Sequence, residues 1–296
     1  MKKSVLLLCL MFVFPVRVRA WEACGTDGQG NTANCEYEIK NGTLTIRGTG
    51  DEGNIGYWWS SAEGNYKAPW GKQQFKNVVI EDSIKDLGSY GFVGVSSVNP
   101  IQIPTSIDKI TYASFQQVTT PEVIIPSTVT HIEGVAFFDA NIQRLNIPDS
   151  VTSMDRAFRA SPFTDIVIPD SVEIIPDKAF SQIKNLQSIT VGENTILGSI
   201  FQKSGNDEFT TDISQLKIYC TGDTSKCDEH LANAGYPELK SIAARTEKIN
   251  GRTYVYDLNG HRVAVSGQKI IKRIYTVEEA EKISKKNGNT FKLRYK

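Results

Sequence analysis

Beyond the first twenty residues, the plainest chemistry belongs to four cysteines: Cys24 and Cys35 near one end, Cys220 and Cys227 near the other. The first twenty residues read as an export signal. Lys2 and Lys3 precede an apolar run over residues 5–16, and Val18-Arg19-Ala20 supplies a small-residue end, so cleavage is expected after Ala20. The apolar run is 12 residues long, short of the roughly 18 that a membrane anchor needs. Cys9 leaves with the signal. Export places the remaining thiols in an oxidising compartment, where local spacing predicts the disulfides Cys24–Cys35 and Cys220–Cys227. The competing chemistry is a zinc site of Cys220, Cys227 and His230, which lacks the paired Cys-x-x-Cys knuckles that such sites use.

Other spacings promise little catalysis. Gly48-Thr49-Gly50-Asp51-Glu52-Gly53 fits the dinucleotide-binding pattern literally, but no βαβ unit follows, so it reads as a turn. There is no Gly-x-Ser-x-Gly elbow, no His-Glu-x-x-His and no phosphate loop. His131, His230 and His261 show no spacing that would bring two together. Asp82, Asp149, Asp170 and Glu193 occupy equivalent positions along the chain. Such a row could act like a glycosidase pair or bind calcium, whereas stacked equivalent carboxylates more often form a solvated ridge. Trp58, Trp59 and Trp70 suit a sugar-stacking platform or the covering of an exposed core end. The expectation is a chain that is no enzyme and has no cofactor and no metal.

The elements that would position any surface are set by an internal repeat. From Val78 one phrase recurs as VVIEDSIKDL, IQIPTSIDKI, VIIPSTVTHI, LNIPDSVTSM, IVIPDSVEII and ITVGENTIL. Its proline position falls at Glu81, Pro104, Pro126, Pro148, Pro169 and Gly192, steps of 21 to 23 residues. Phe92, Phe115, Phe137, Phe158, Phe180 and Phe201 march in step. Within Leu145-Asn146-Ile147-Pro148 the alternation predicts a short strand with Asn146 outward, ended by proline. The later pairs Ile107/Ile110, Val129/Ile132 and Val151/Met154 suggest a tight turn of helical character that buries both. One unit cannot bury its own apolar face, so six must stack. The predicted fold is a β-rich solenoid with about one short strand per repeat.

These phrases, above all IPDSVTSM, IPDSVEIIPDKAF and IPTSIDKI, resemble the BspA-like leucine-rich repeat family of bacterial surface proteins. The hairpin TLTIRGTG at 43–50 and Ala68-Pro69-Trp70 look like the cap that often precedes such repeats. The resemblance implies a leucine-rich-repeat right-handed coil with one parallel sheet, and a role in adhesion to host proteins or other cells. There are departures. Only Gly88 keeps the family's glycine after the second apolar turn residue, and Val95, Val118, Ala140, Ser161 and Ile183 stand where the family often has cysteine.

Four regions follow: a signal at 1–20, an N-terminal β cap at 21–75, the solenoid with its disulfide-stapled end at 76–240, and a basic α+β module at 241–296. In the last, residues 254–265 and 270–275 read as a β-meander, Thr276-Val277-Glu278-Glu279 opens a short helix, and 291–295 form a final strand. Residues 246–296 carry 12 Lys and Arg against 5 Asp and Glu, whereas 21–245 carry 17 against 28. A basic end on an acidic body suits an anionic envelope surface or an ordinary solvated strand face. The outward strand residues Val79, Gln102, Ile124, Asn146, Val167 and Thr190 should form one uncharged exposed column. A repeat needs only its inward residues apolar, so this column is the expected binding site for a protein or surface glycan, with no nucleic acid. The competing expectations are a structural envelope protein with no ligand and a glycan-active enzyme. Localisation is expected to be secreted or at the cell surface.

Overall fold

The computed structural model describes residues 21–60, 65–66, 68–202, 211–249, 252–258 and 260–265. The signal at 1–20, and the strand, helix and final strand expected beyond 266, lie outside the described residues.

Beside a two-residue edge strand at Glu22–Ala23, β1 (Cys35–Lys40) and β2 (Thr43–Gly48) form an antiparallel hairpin. Its two-residue turn is Asn41-Gly42, both at positive φ, the conformation that an asparagine–glycine pair tolerates in a tight hairpin. β2 then pairs in parallel with β3 (Asn77–Ile80), Leu44 opposite Val78 and Ile46 opposite Ile80. The cap therefore joins the solenoid's sheet as an extra strand. Parallel pairing continues through β4 (Ile101–Gln102), β5 (Thr119–Ile124) and β6 (Asn141–Leu145). It resumes with β7 (Asp165–Val167), β8 (Ser188–Gly192) and β9 (Lys217–Thr221). The ladder breaks between β6 and β7. Thr119 and Asn141 there donate their N–H to Val95 and Val118 of the preceding coil, and Pro162, at the same position, has no N–H to give.

The apolar pairs after each proline are buried as expected, but not by a helical turn. They form a second parallel ladder: Lys109–Ile110, His131–Ile132 and Ser153–Met154 in one sheet, Ile174–Ile175 and Ile196–Leu197 in another. Each full coil thus has two short strands rather than one, and the single parallel sheet expected becomes a main sheet with a minor companion. The repeat's serine or threonine explains the tight stacking. The hydroxyls of Ser106, Thr128, Ser150 and Ser171 donate to the carbonyls of Ile84, Ile107, Val129 and Val151 one coil back, at 2.5–2.7 Å.

The phenylalanines form the spine. Phe92, Phe115, Phe137 and Phe158 stack almost parallel at 5.2–5.7 Å, and Trp70 lies over the first at 6.0 Å. Left-handed residues bracket the inward turn of the ring. Tyr90, Ala113, Val135 and Lys178 precede it by two, and Gly94, Gln117, Asp139, Ala160 and Gln182 follow it by two. The positions where the family often has cysteine, Val95 through Ile183, are all buried.

The last coil replaces its minor strand with α1 (Thr224–Asn233), whose buried Cys227 and Leu231 close the core. Asp223 caps it, its carboxylate accepting from the Ser225 N–H at 2.9 Å. The chain re-enters the main sheet as β10 (Ser241–Ile249), parallel to β9, and continues antiparallel through β11 (Arg252–Asp257) and β12 (Arg262–Val265). β12 rolls back against β7.

Candidate functional site

The outward column is split. Val79, Gln102 and Ile124 lie side by side in register on β3, β4 and β5, with Val79 and Ile124 each 42% exposed. Asn146 is half-buried, and its side-chain oxygen accepts from Thr253 Oγ1 at 3.1 Å. Val167 and Thr190, expected to face water, are buried at 6% and 0%. The cause is the rolled sheet. The β11–β12 hairpin lies over the outer face of β7–β9, and Val167, Tyr219, Ala244, Val255 and Ala264 form a small apolar cluster separate from the main core. A signal was present in the sequence. Val167 and Tyr219 are large residues at outward positions, and Thr253 to Asp257 alternates in a way that leaves Val255 facing them.

Polar pairs flank the column. The Asn99 amide donates to Asn77 at 2.7 Å, Arg144 pairs with Glu122 at 2.6 Å, and the Ser188 hydroxyl donates to Asp165 at 2.5 Å. Burial pushes the Asp165 carboxyl above the usual range, and hydrogen bonds from Ser188 and Thr164 oppose it only in part. On the other flank the carboxylate row is a ridge in which, among the described residues, three of the four groups, all but Asp82, have a local side-chain or backbone partner. Asp149 pairs with Lys248, Asp170 accepts from Thr221 Oγ1 at 2.8 Å, and Glu193 accepts from the Asp223 N–H at 2.7 Å. A cleft of about 240 Å³ lies between this ridge and the hairpin, lined by Asp149, Val167, Asp170, Ser171, Lys248 and Thr253 among others.

Among the described residues no group of three or more His, Cys, Asp and Glu could hold a metal. His131 partners Thr130 and His261 partners Asp257. The cysteines are joined as Cys24–Cys35 and Cys220–Cys227, which removes two of the ligands from the competing zinc site.

In the cap, Trp58 and Trp70 are buried, each donating its indole N–H to a carbonyl at 2.8 Å, Ile55 and Gly91 respectively. They close the solenoid's end. Trp59 does not; it joins a group of half-exposed tyrosines. The Gly48–Gly53 stretch is a turn, and its glycines admit the Ser83 carbonyl, which a Cβ at either end would meet at 2.2 or 2.1 Å.

The model of the BspA-type leucine-rich repeat region matches six copies over residues 70–157 and 154–221, together about half of the 296-residue chain. The protein belongs to the BspA-type leucine-rich repeat family. The contacts of the recurring phrase have a physical role at each step: strand, proline, hydroxyl clamp, second strand and phenylalanine. Among solved structures, the chain is similar to a leucine-rich cell surface protein of Faecalibacterium prausnitzii at 14% identity and a TM-score of 0.27, covering 72% of this chain and 93% of that one. No curated protein matches. Within this BspA-type solenoid, Val79, Gln102 and Ile124 are the open part of the expected column, and Val167 and Thr190 belong to a packed interface.

Proposed function

We propose that the protein is exported to the cell surface or beyond and acts there as a non-catalytic interaction protein, binding a macromolecular partner through the open half of the main sheet's outer face. One observation carries the reading. Val79 and Ile124 stand exposed on either side of Gln102, at positions that the repeat does not need to be apolar. The same face, two coils further on, already accepts a covering β-hairpin, so it is a surface on which polypeptide packs. A protein partner with an apolar ridge and polar flanks suits this stripe, since Asn77, Asn99, Glu122 and Arg144 border it with hydrogen-bonding groups. The disulfides fit an oxidising compartment. The basic stretch from 246 onward supplies a second, electrostatic means of association with an anionic envelope.

The test is a binding panel of extracellular matrix proteins and surface polysaccharides, comparing the mature chain with Val79→Lys/Ile124→Lys. Both side chains already face water, so the double variant keeps its circular dichroism. Two ammonium groups set against an apolar partner cost several kcal/mol, a loss of roughly a hundredfold or more in affinity. A partner held equally well by parent and variant places the binding surface elsewhere. A chain that binds nothing on the panel favours a structural envelope role.

A further inference from the structure

Five aromatic rings meet on the surface where the cap joins the first two repeats. Tyr90 is at the centre, its ring 5.4 Å from Tyr57, 6.0 Å from Trp59, 5.6 Å from Tyr66 and 5.5 Å from Tyr112. Trp59 and Tyr66 are 4.9 Å apart. Tyr112 is 42% exposed and the other four are half-buried, so the rings form a continuous patch open to solvent. The patch lies on the arc between the minor ladder and the phenylalanine stack, away from the column on the main sheet.

The solenoid does not require these rings. Tyr90 stands two residues before Phe92, where other repeats carry Ala113, Val135 and Lys178. Tyr112 stands three before Phe115, where others carry Ser89, Gly134 and Asp177. An aromatic residue at either position occurs only in the two coils beside Trp59 and Tyr66.

We infer that this patch is a glycan-binding site that stacks a pyranose-containing oligosaccharide against Trp59, Tyr90 and Tyr112. Every ring in it carries a hydroxyl or an indole N–H, so each offers an apolar face together with a polar tip. A pyranose has the complementary form: a face of slightly electropositive C–H bonds, which the electron-rich ring faces attract, and a rim of hydroxyls. Hydrogen-bonding groups stand at the edge. The Gln116 amide donates to the Tyr66 hydroxyl at 3.0 Å, and the Lys72 ammonium lies 5.2 Å above the Tyr66 ring. Burial, with the neighbouring phenols, pushes Tyr90 well above the usual phenol range, and its hydroxyl is hydrogen-bonded to Tyr112 within the cluster, which leaves the outer rings to supply polar tips to a ligand.

The experiment is a glycan array of neutral and acidic oligosaccharides, including cellohexaose and chitohexaose, probed with the mature chain. Retained glycans are then titrated calorimetrically against Tyr112→Ala, Tyr112→Phe and Ile124→Lys. Tyr112→Ala is expected to keep the parent's circular dichroism and melting temperature while weakening the glycan roughly tenfold. Tyr112→Phe keeps the ring and should stay within about threefold of the parent. Ile124→Lys lies on the other face and should bind normally, which separates this site from the sheet surface. The inference is overturned if the array retains no glycan, if Tyr112→Ala binds as the parent does, or if Ile124→Lys is the variant that loses binding.

Discussion

Replacing Val255 by aspartate should release the C-terminal hairpin from the sheet while leaving the solenoid folded. Val255 is fully buried and belongs to a cluster of only five buried residues, two of them alanines. Its own burial contributes about 1.5–3 kcal/mol, and an unpaired carboxylate in its place adds a penalty of several more. The cover has little reserve to absorb this. Thr190 Oγ1 is buried beneath it without a hydrogen-bond partner, a loss of about 1–3 kcal/mol that the release would recover. The main core is a separate cluster running from the cap to Leu239, and none of its residues depends on Val255. Hydrogen exchange followed by mass spectrometry should therefore show peptides from β11 and β12 exchanging at near-unfolded rates in Val255→Asp, with β3 to β6 as protected as in the parent. β10 should keep most of its protection through its pairing with β9. Unchanged exchange in β11 would refute the idea that the small cluster holds the hairpin. Loss of protection throughout the solenoid would refute the idea that the two cores are independent.

The cap gives two further expectations. Gly88→Ala puts a Cβ 2.0 Å from the Gly56 carbonyl at φ +66°, a backbone clash, and should cost on the order of 3 kcal/mol or more in thermal melts. Gly94→Ala, at φ +69°, meets the stem of the Lys72 side chain at 2.8 Å rather than backbone, and the equivalent left-handed positions carry Gln117, Asp139, Ala160 and Gln182, so it should cost about 1–2 kcal/mol; equal effects of the two would contradict the close-approach account. For Asp27, burial raises the carboxyl's pKa, but N–H donors from Tyr57, Asn31 and Gln29 outweigh it and hold the group below its unfolded value of 3.8. The stabilisation is then complete above about pH 4 and fades as pH falls through the folded value. Asp27→Asn should be about 1–3 kcal/mol less stable in urea at pH 7, with the gap narrowing as pH is lowered below 3.8; a gap of constant size from pH 7 down to pH 2 would be inconsistent with a charge-based role.

The repeat was legible because its physics is periodic. Six coils that share one core must place proline, hydroxyl and phenylalanine at one spacing, and the pairs Ile107/Ile110 and Val129/Ile132 announced their burial. Their conformation was not legible, because two apolar residues three apart fit a helical turn as well as a turn followed by a two-residue strand. The fate of Val167 and Thr190 was hidden for a different reason. Burial of an outward residue depends on a strand some ninety residues further on in the chain rolling back over it; the large residues at 167 and 219 marked the place, but nothing local named the strand that covers it. The tryptophans divided in the same way. Trp58 and Trp70 became part of the core end, whereas Trp59 was turned outward by the hairpin it forms with Tyr66, a contact between residues whose pairing no nearby motif fixes.

The open face is tested most directly by placing a photo-reactive benzoylphenylalanine at Gln102 and, separately, at His131 on the minor ladder, then irradiating each with a partner found on the binding panel. Gln102 lies between Val79 and Ile124, so the account predicts an efficient crosslink from that position and little or none from His131. A partner that crosslinks from His131 and not from Gln102 would contradict it.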